Sequence, residues 1–307
     1  MTSSKEKIAA WQERIETTFL GSQGVCSERI YELEDYETEH RNQIVCQCRG
    51  FCVLLDAFLD FSIQTLQESN SQIASPHVFD FSLSFASFRR FRASYKIFLD
   101  GYYFDAISNL RAVFENCLYW GAVLHKYIPR MEMFNSLENR TYQSITEREY
   151  LKIARDHQKK YNSTVQRMMM GKESGLAEDV QNEINLVYQI LHQHVHYSKT
   201  TLASVFTKLT QNNFVSLVPV LDIDAASQYA NIAEFIGWVF VRILPFLSSP
   251  ELFSAEWRHR YNVLNDSFAF AVAGFEKPLG RAIEAFIREK FTFENFGPMD
   301  EATTRRD

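Results

Sequence analysis

The chain has 307 residues, 46% of them hydrophobic and 23% charged, a globular balance with enough length to bury a large core. Its formal charge of −6 argues against a protein that coats nucleic acid backbones, although it leaves room for a local basic cleft. Phe (26) and Tyr (14) are abundant while Gly (11) and Pro (7) are scarce, which favours long helices over a turn-rich β-architecture.

Taken in order, a first helix is expected over about Ser4–Phe19, ending in the loop GSQG. One long helix follows over about Ser27–Leu66, acidic in its first half (YELEDYETEH) and apolar in its second. Ser75-Pro76 begins the next helix, Pro suiting a first turn. That helix runs to Leu99 with Phe81, Phe85, Phe88, Phe91, Tyr95 and Phe98 at helical spacing. Asp100-Gly101 reads as the turn of an antiparallel hairpin. The central helix then carries Phe104, Ile107, Leu110, Phe114, Leu118 and Ala122 as a buried stripe and closes before Pro129. Ser144 and Glu147 form a capping box for a charged helix to Met170, expected at the edge of the fold. Leu176, Val180, Ile184, Val187, Leu191 and Val195 align on the following helix, which ends in LHQHVHYSKTT. Residues 200–221 show no helical period. Asp222 or Asp224 caps the next helix, to about Leu244, and helices over Pro250–Ala273 and Pro278–Phe291 complete the chain.

The expected fold is all-α, a multi-helix bundle of long antiparallel helices with one irregular segment at 200–221. Residues 1–26 form an N-terminal helix and loop, 27–292 a single helical domain and 293–307 a flexible tail. No internal repeat is visible. Five cysteines without a disulfide-framework spacing fit a reducing cytoplasm, and Cys46, Cys48 and Cys52 read as small apolar core residues. MTSSKEKIAAWQERIETTF lacks the apolar run of a signal peptide, and the window from Ile232 is broken by Glu234, Arg242 and Pro245. A cytoplasmic protein that engages no membrane is expected.

The candidate chemistry centres on Arg111 and Glu115, one turn apart beside the apolar stripe of the central helix. Desolvation there makes an isolated ion pair costly unless other polar groups complete it, which opens a ligand or active site as the alternative to a structural role. An exposed intrahelical pair is the competing structural explanation. His192 and His196, four apart, share a face and can address one metal or anion, whereas His194 points elsewhere. Without the Glu of the zinc-protease motif they are as well explained as cations complementing a helix C-terminus. Two Glu-x-x-His matches, Glu37/His40 and Glu256/His259, no more than chance supplies, could belong to a diiron bundle with Glu115 as a further carboxylate, but the last ligand is not identifiable. No cofactor or metal is therefore assigned. In FRRFRASYK, Arg89, Arg92 and Lys96 line the outer face of a helix whose aromatics turn inward. They form a solvated stripe by default, or a nucleic-acid contact extending a phosphate site at Arg111.

Gly101-Tyr102, Ala106, Arg111 and Glu115, followed by Val195-His196-Tyr197-Ser198, resemble an uncharacterised bacterial all-helical family. In that family a Gly-Tyr hairpin leads to an Arg-x-x-x-Glu helix and a later helix ends in Val-His-Pro-Ser. Tyr197 stands here in place of the proline, and the likeness covers about Phe88–Thr200. That arrangement is distantly similar to the HEPN proteins, many of them metal-independent RNases or nucleotide binders in toxin and phage-defence systems. Their active members carry Arg and His four to six residues apart on one helix. No such His follows Arg111, so Arg111 and His196 would have to meet from different helices. The resemblance implies Arg111, Glu115 and His196 as catalytic candidates with His192 binding RNA or nucleotide; Arg89, Arg92 and Lys96 enter as binding candidates from their own basic-aromatic pattern. The alternatives are a non-catalytic module for protein interaction or homo-oligomerisation and, third, a helical metalloenzyme.

Overall fold

The scarcity of Gly and Pro is realised as nine α-helices, with no strand among the described residues. The structure is a computed structural model and describes residues 28–70, 78–130, 146–195, 221–247 and 253–292, with Ala9 and Glu13. The helices are α1 Glu28–Gln47, α2 Arg49–Asn70, α3 Val78–Leu99, α4 Tyr103–Leu124 and α5 Glu147–Met169. They continue as α6 Glu178–Val195, α7 Ile223–Ile243, α8 Ala255–Ala273 and α9 Lys277–Lys290, with a 3-10 turn at Leu244–Leu247. The expected first helix, the segment 200–221, His196 and the tail lie outside the described residues, but for Ala9, Glu13 and Leu221.

Gly101 turns α3 into α4. Its φ of 92° lies where a side chain is strained, and it lets Tyr102 N–H reach Ile97 C=O at 3.1 Å. The two helices pack along their length as the predicted hairpin. The same closing motif recurs at the end of α4, where Tyr127 N–H reaches Ala122 C=O at 2.9 Å. Lys126 there takes a φ of 61° without being glycine. Left-handed backbone costs an L-residue about 1–2 kcal/mol, so Lys126→Gly is expected to stabilise the fold by roughly 0.5–1 kcal/mol in urea unfolding. No gain would mean that the Lys126 side chain offsets the strain.

α4 is central, packing against α3, α5, α6 and α7. Every residue from Asn116 to Val123 is buried, the pattern of a helix enclosed on all sides. α7 is its counterpart, buried continuously from Phe235 to Val241. By length and composition Ile223–Leu247 could cross a membrane, yet 72% of its most apolar window is buried inside the bundle. It is packed as a core helix. Gly237 permits this, since a Cβ there would lie 2.8 Å from the Phe268 ring of α8. Beneath that contact Phe58 of α2 meets Phe91, Phe240 and Phe268 edge-on, with centroids 4.9–5.7 Å apart.

Several sequence expectations are corrected. The long helix over 27–66 is two, interrupted at Cys48 and continuing to Asn70. The i to i−4 bonds persist across the break (Cys48 N–H to Ile44 C=O, Cys52 N–H to Cys48 C=O), and helix-poor Gly50 lies just beyond. The capping box belongs to Thr146 and Glu149, not Ser144 and Glu147. Thr146 Oγ1 accepts from Glu149 N–H at 3.3 Å while Glu149 Oε2 accepts from Thr146 N–H at 2.8 Å. α8 begins at Ala255 because Ser254 captures Trp257 N–H at 3.0 Å; Pro250 is outside the described residues. Asp222, rather than Asp224, caps α7. Of the clustered cysteines Cys52 is buried, but Cys48 is only half-buried and Cys46 is exposed.

Asp80, in the first turn of α3, has no exposed surface and lies 2.8 Å from Arg130. Neither carboxylate oxygen takes a well-aligned hydrogen bond. Burial raises its pKa from 3.8 to about 7 against the opposing pull of Arg130. A carboxyl whose pKa is raised by folding destabilises the fold increasingly as pH climbs between those two values. Above about pH 7 the buried carboxylate depends on Arg130. Arg130→Ala is thus expected to lose about 1–3 kcal/mol at about pH 8, discounted for the partial exposure of Arg130. Little should be lost at about pH 5, where folded Asp80 is protonated. Urea midpoints at the two pH values check this, and equal losses would contradict it.

Candidate functional site

Arg111 and Glu115 project from α4 where α5 and α6 meet it. Arg111 Nε donates to Glu115 Oε1 at 2.9 Å, and the two side chains keep 17% and 24% of their accessible surface. The order, Arg preceding Glu by four, is the less favourable one for helix stability, so the pair does not serve α4 alone. Two further residues complete it. Tyr188 Oη of α6 donates to the same Glu115 Oε1 at 2.9 Å, and Gln166 Nε2 of α5 donates to Tyr188 Oη at 3.0 Å. Burial, reinforced by the Glu115 charge, pushes the Tyr188 pKa up, so the phenol keeps its proton as a donor. Arg111 Cζ also lies 6.0 Å from the Tyr188 ring centroid. One carboxylate thereby accepts from two helices and fixes a half-buried guanidinium between them.

His192 joins this cluster through Tyr188: the exposed imidazole lies near-parallel to the Tyr188 ring at 6.5 Å, one turn along α6. His194 turns away, as its position on the helix predicts. It stacks on Phe104 at 5.2 Å with Nδ1 buried and unpartnered, and burial lowers its pKa. His196 lies outside the described residues.

Arg89, Arg92 and Lys96 are exposed along α3 as expected. Arg89 is directed to α5, its Nη1 lying 2.8 Å from Glu147 Oε1 and its Cζ 5.7 Å from the Phe85 ring. The bridge crosses a cleft of about 910 Å³ between α2, α3 and the start of α5, lined mainly by apolar side chains. Ile63, Phe85 and Leu151, one from each helix, remain exposed around it. Phe85, one of the aromatics at helical spacing on α3, is turned into this cleft, while Phe88 and Phe91 are buried.

The diiron arrangement finds no support. His40 is buried and committed to structure, its Nδ1 donating to Leu99 C=O at 3.1 Å and its Nε2 accepting from Tyr103 Oη at 2.9 Å. Among the described residues no three His, Cys, Asp or Glu side chains converge as metal ligands would.

Sequence reasoning missed Tyr188 and Gln166. Tyr188 precedes His192 by one turn and so shares its face, a signal that was available; the reach of Gln166 was not. It also missed His157, which hydrogen-bonds Tyr119 beside Phe79 and is lowered to about 4, chiefly by burial. Glu234 on α7, read in the sequence only as a break in the apolar window, has its carboxyl raised by burial from 4.5 to about 7.

The chain matches no protein-family model, no curated protein and no solved structure.

Proposed function

We propose that this is a cytoplasmic, HEPN-like protein that binds RNA or nucleotide phosphate at Arg111 and, in a bacterial toxin or phage-defence setting, cleaves RNA without a metal. The observation that carries the proposal is the chain Gln166–Tyr188–Glu115–Arg111, which spends polar groups from three helices on orienting one guanidinium. A permanently charged, planar donor held this way suits phosphate. Cleavage further needs a base that takes the 2′-hydroxyl proton; the 2′-oxygen then bonds to phosphorus, the P–O5′ bond breaks to leave a 2′,3′-cyclic phosphate, and the 5′-oxygen takes up the proton returned by the protonated base. In this scheme His196 is the base, Arg111 stabilises the phosphorane charge and His192 binds the neighbouring nucleotide. Glu115 positions Arg111. The decisive assay incubates purified protein with mixed RNA. Cleavage by the wild type that is lost in Arg111→Ala and in His196→Ala supports the proposal; RNA left intact by folded protein overturns it.

A second function, a non-catalytic interaction or homo-oligomerisation module, is favoured by the apolar cleft with Ile63, Phe85 and Leu151 exposed around it. Sedimentation separates the two. A dimer that dissociates on Phe85→Asp while RNA remains untouched would favour the module.

A further inference from the structure

A second concavity, between α7, α8 and α9, carries a charge balance that the Arg111 site does not explain. Its volume is about 570 Å³, and Arg242, Lys277, Arg281 and Arg288 line it against one acid among its described lining residues, Glu284. In a chain of net charge −6 this is a local reversal of sign, and a cleft with low-dielectric walls concentrates such a field. Lys277, Arg281 and Arg288 recur four and seven apart, which puts them on one stripe of α9.

The needs of the helix account for only part of that stripe. Arg288, in the last turn, complements the negative end of α9. Lys277 occupies the first position, the end at which the helix dipole disfavours a cation, and the first turn holds no acid. Neither Lys277 nor Arg281 makes an ion pair with a described residue. Arg242 is anchored on the opposite wall by uncharged partners, its Nε donating to Phe291 C=O at 3.2 Å and its Nη2 to Thr292 Oγ1 at 2.8 Å. Among the described residues no carboxylate pairs with it, so its charge is fixed in place by uncharged groups. The remaining lining is mainly apolar, including Trp238, Val272 and Phe275, with Asn265 and Thr292 the uncharged polar side chains.

We propose that this cleft binds a small molecule in which a diphosphate is joined to a flat or apolar group, the chemistry of a nucleoside diphosphate. The diphosphate lies along Lys277, Arg281 and Arg288, facing Arg242, and the uncharged part rests on the Val272 and Phe275 wall. The site is independent of Arg111, and its test separates the two.

Isothermal titration of the full chain with ADP, inorganic pyrophosphate and adenosine is the experiment. ADP and pyrophosphate are expected to bind saturably and adenosine not to. Measured in an Arg111→Ala background, where any nucleotide bound at the Arg111 site is already lost, the double variant Lys277→Glu/Arg281→Glu should weaken ADP at least roughly tenfold. Both reversed side chains are exposed, and Arg281→Gln serves as the milder variant if the double reversal unfolds the chain. Absence of saturable ADP and pyrophosphate binding below about 1 mM overturns the proposal. So does ADP affinity that survives the charge reversal, or adenosine binding as tightly as ADP.

Discussion

Phe58→Ala is expected to lower the unfolding free energy by about 3–5 kcal/mol, the range for removing a large aromatic from a packed interior. Phe58 has no exposed surface and its ring is the point at which α2 meets α3, α7 and α8 through Phe91, Phe240 and Phe268. Those three rings belong to separate helices and cannot all close on the space left behind. A domain of ordinary stability has only about 5–15 kcal/mol in total, so the variant should unfold at markedly lower urea or fail to accumulate. Phe270→Ala makes the contrast: Phe270 is 83% exposed, and its loss should change stability by less than about 0.5 kcal/mol. A Phe58→Ala penalty below about 1 kcal/mol would show that the four helices are not joined as described.

Arg111→Ala is expected to reduce RNA cleavage by roughly 10²–10³-fold, the usual consequence of removing one donor aimed at developing phosphoryl or acyl charge. Fold stability should change far less, because the guanidinium keeps part of its surface in water and its Glu115 contact is of the half-exposed kind. Arg111→Lys retains the charge but not the planar fork, so binding should survive better than turnover. Tyr188→Phe keeps the ring and removes the hydroxyl that Glu115 accepts from; Arg111 is then held less firmly and the loss should fall between wild type and Arg111→Ala. The pattern has a direction that a purely structural ion pair would not produce, namely a large change in turnover with a small change in unfolding.

The helical period of the apolar residues made most of the architecture readable. Ile107, Leu110, Phe114, Leu118 and Ala122 are buried on α4 as their spacing predicts, whereas Phe104, expected in the same stripe, is only half-buried against His194; the Gly101 turn and Asp222 cap fall where their chemistry places them. Periodicity says which face of a helix is apolar, not what covers it. Phe85 shares the helical spacing of the buried Phe88 and Phe91, yet α2 and α5 leave a cleft over it. Local signals also compete: Ser144/Glu147 and Thr146/Glu149 both spell a capping box, and only the geometry of the α5 start selects Thr146. The Arg111–Glu115 pair was legible because both residues sit on one helix. Tyr188 and Gln166 come from α6 and α5, and contacts across that distance in the chain leave no spacing to read.

The most direct test of the Arg111 site is fluorescence anisotropy with a labelled single-stranded RNA, comparing wild type with Arg111→Ala at two salt concentrations. Saturable binding by the wild type is expected, weakening as salt rises, with a shallower salt dependence and lower affinity in Arg111→Ala because one phosphate contact is gone. Equal affinity and equal salt dependence in the two proteins would contradict a phosphate site at Arg111.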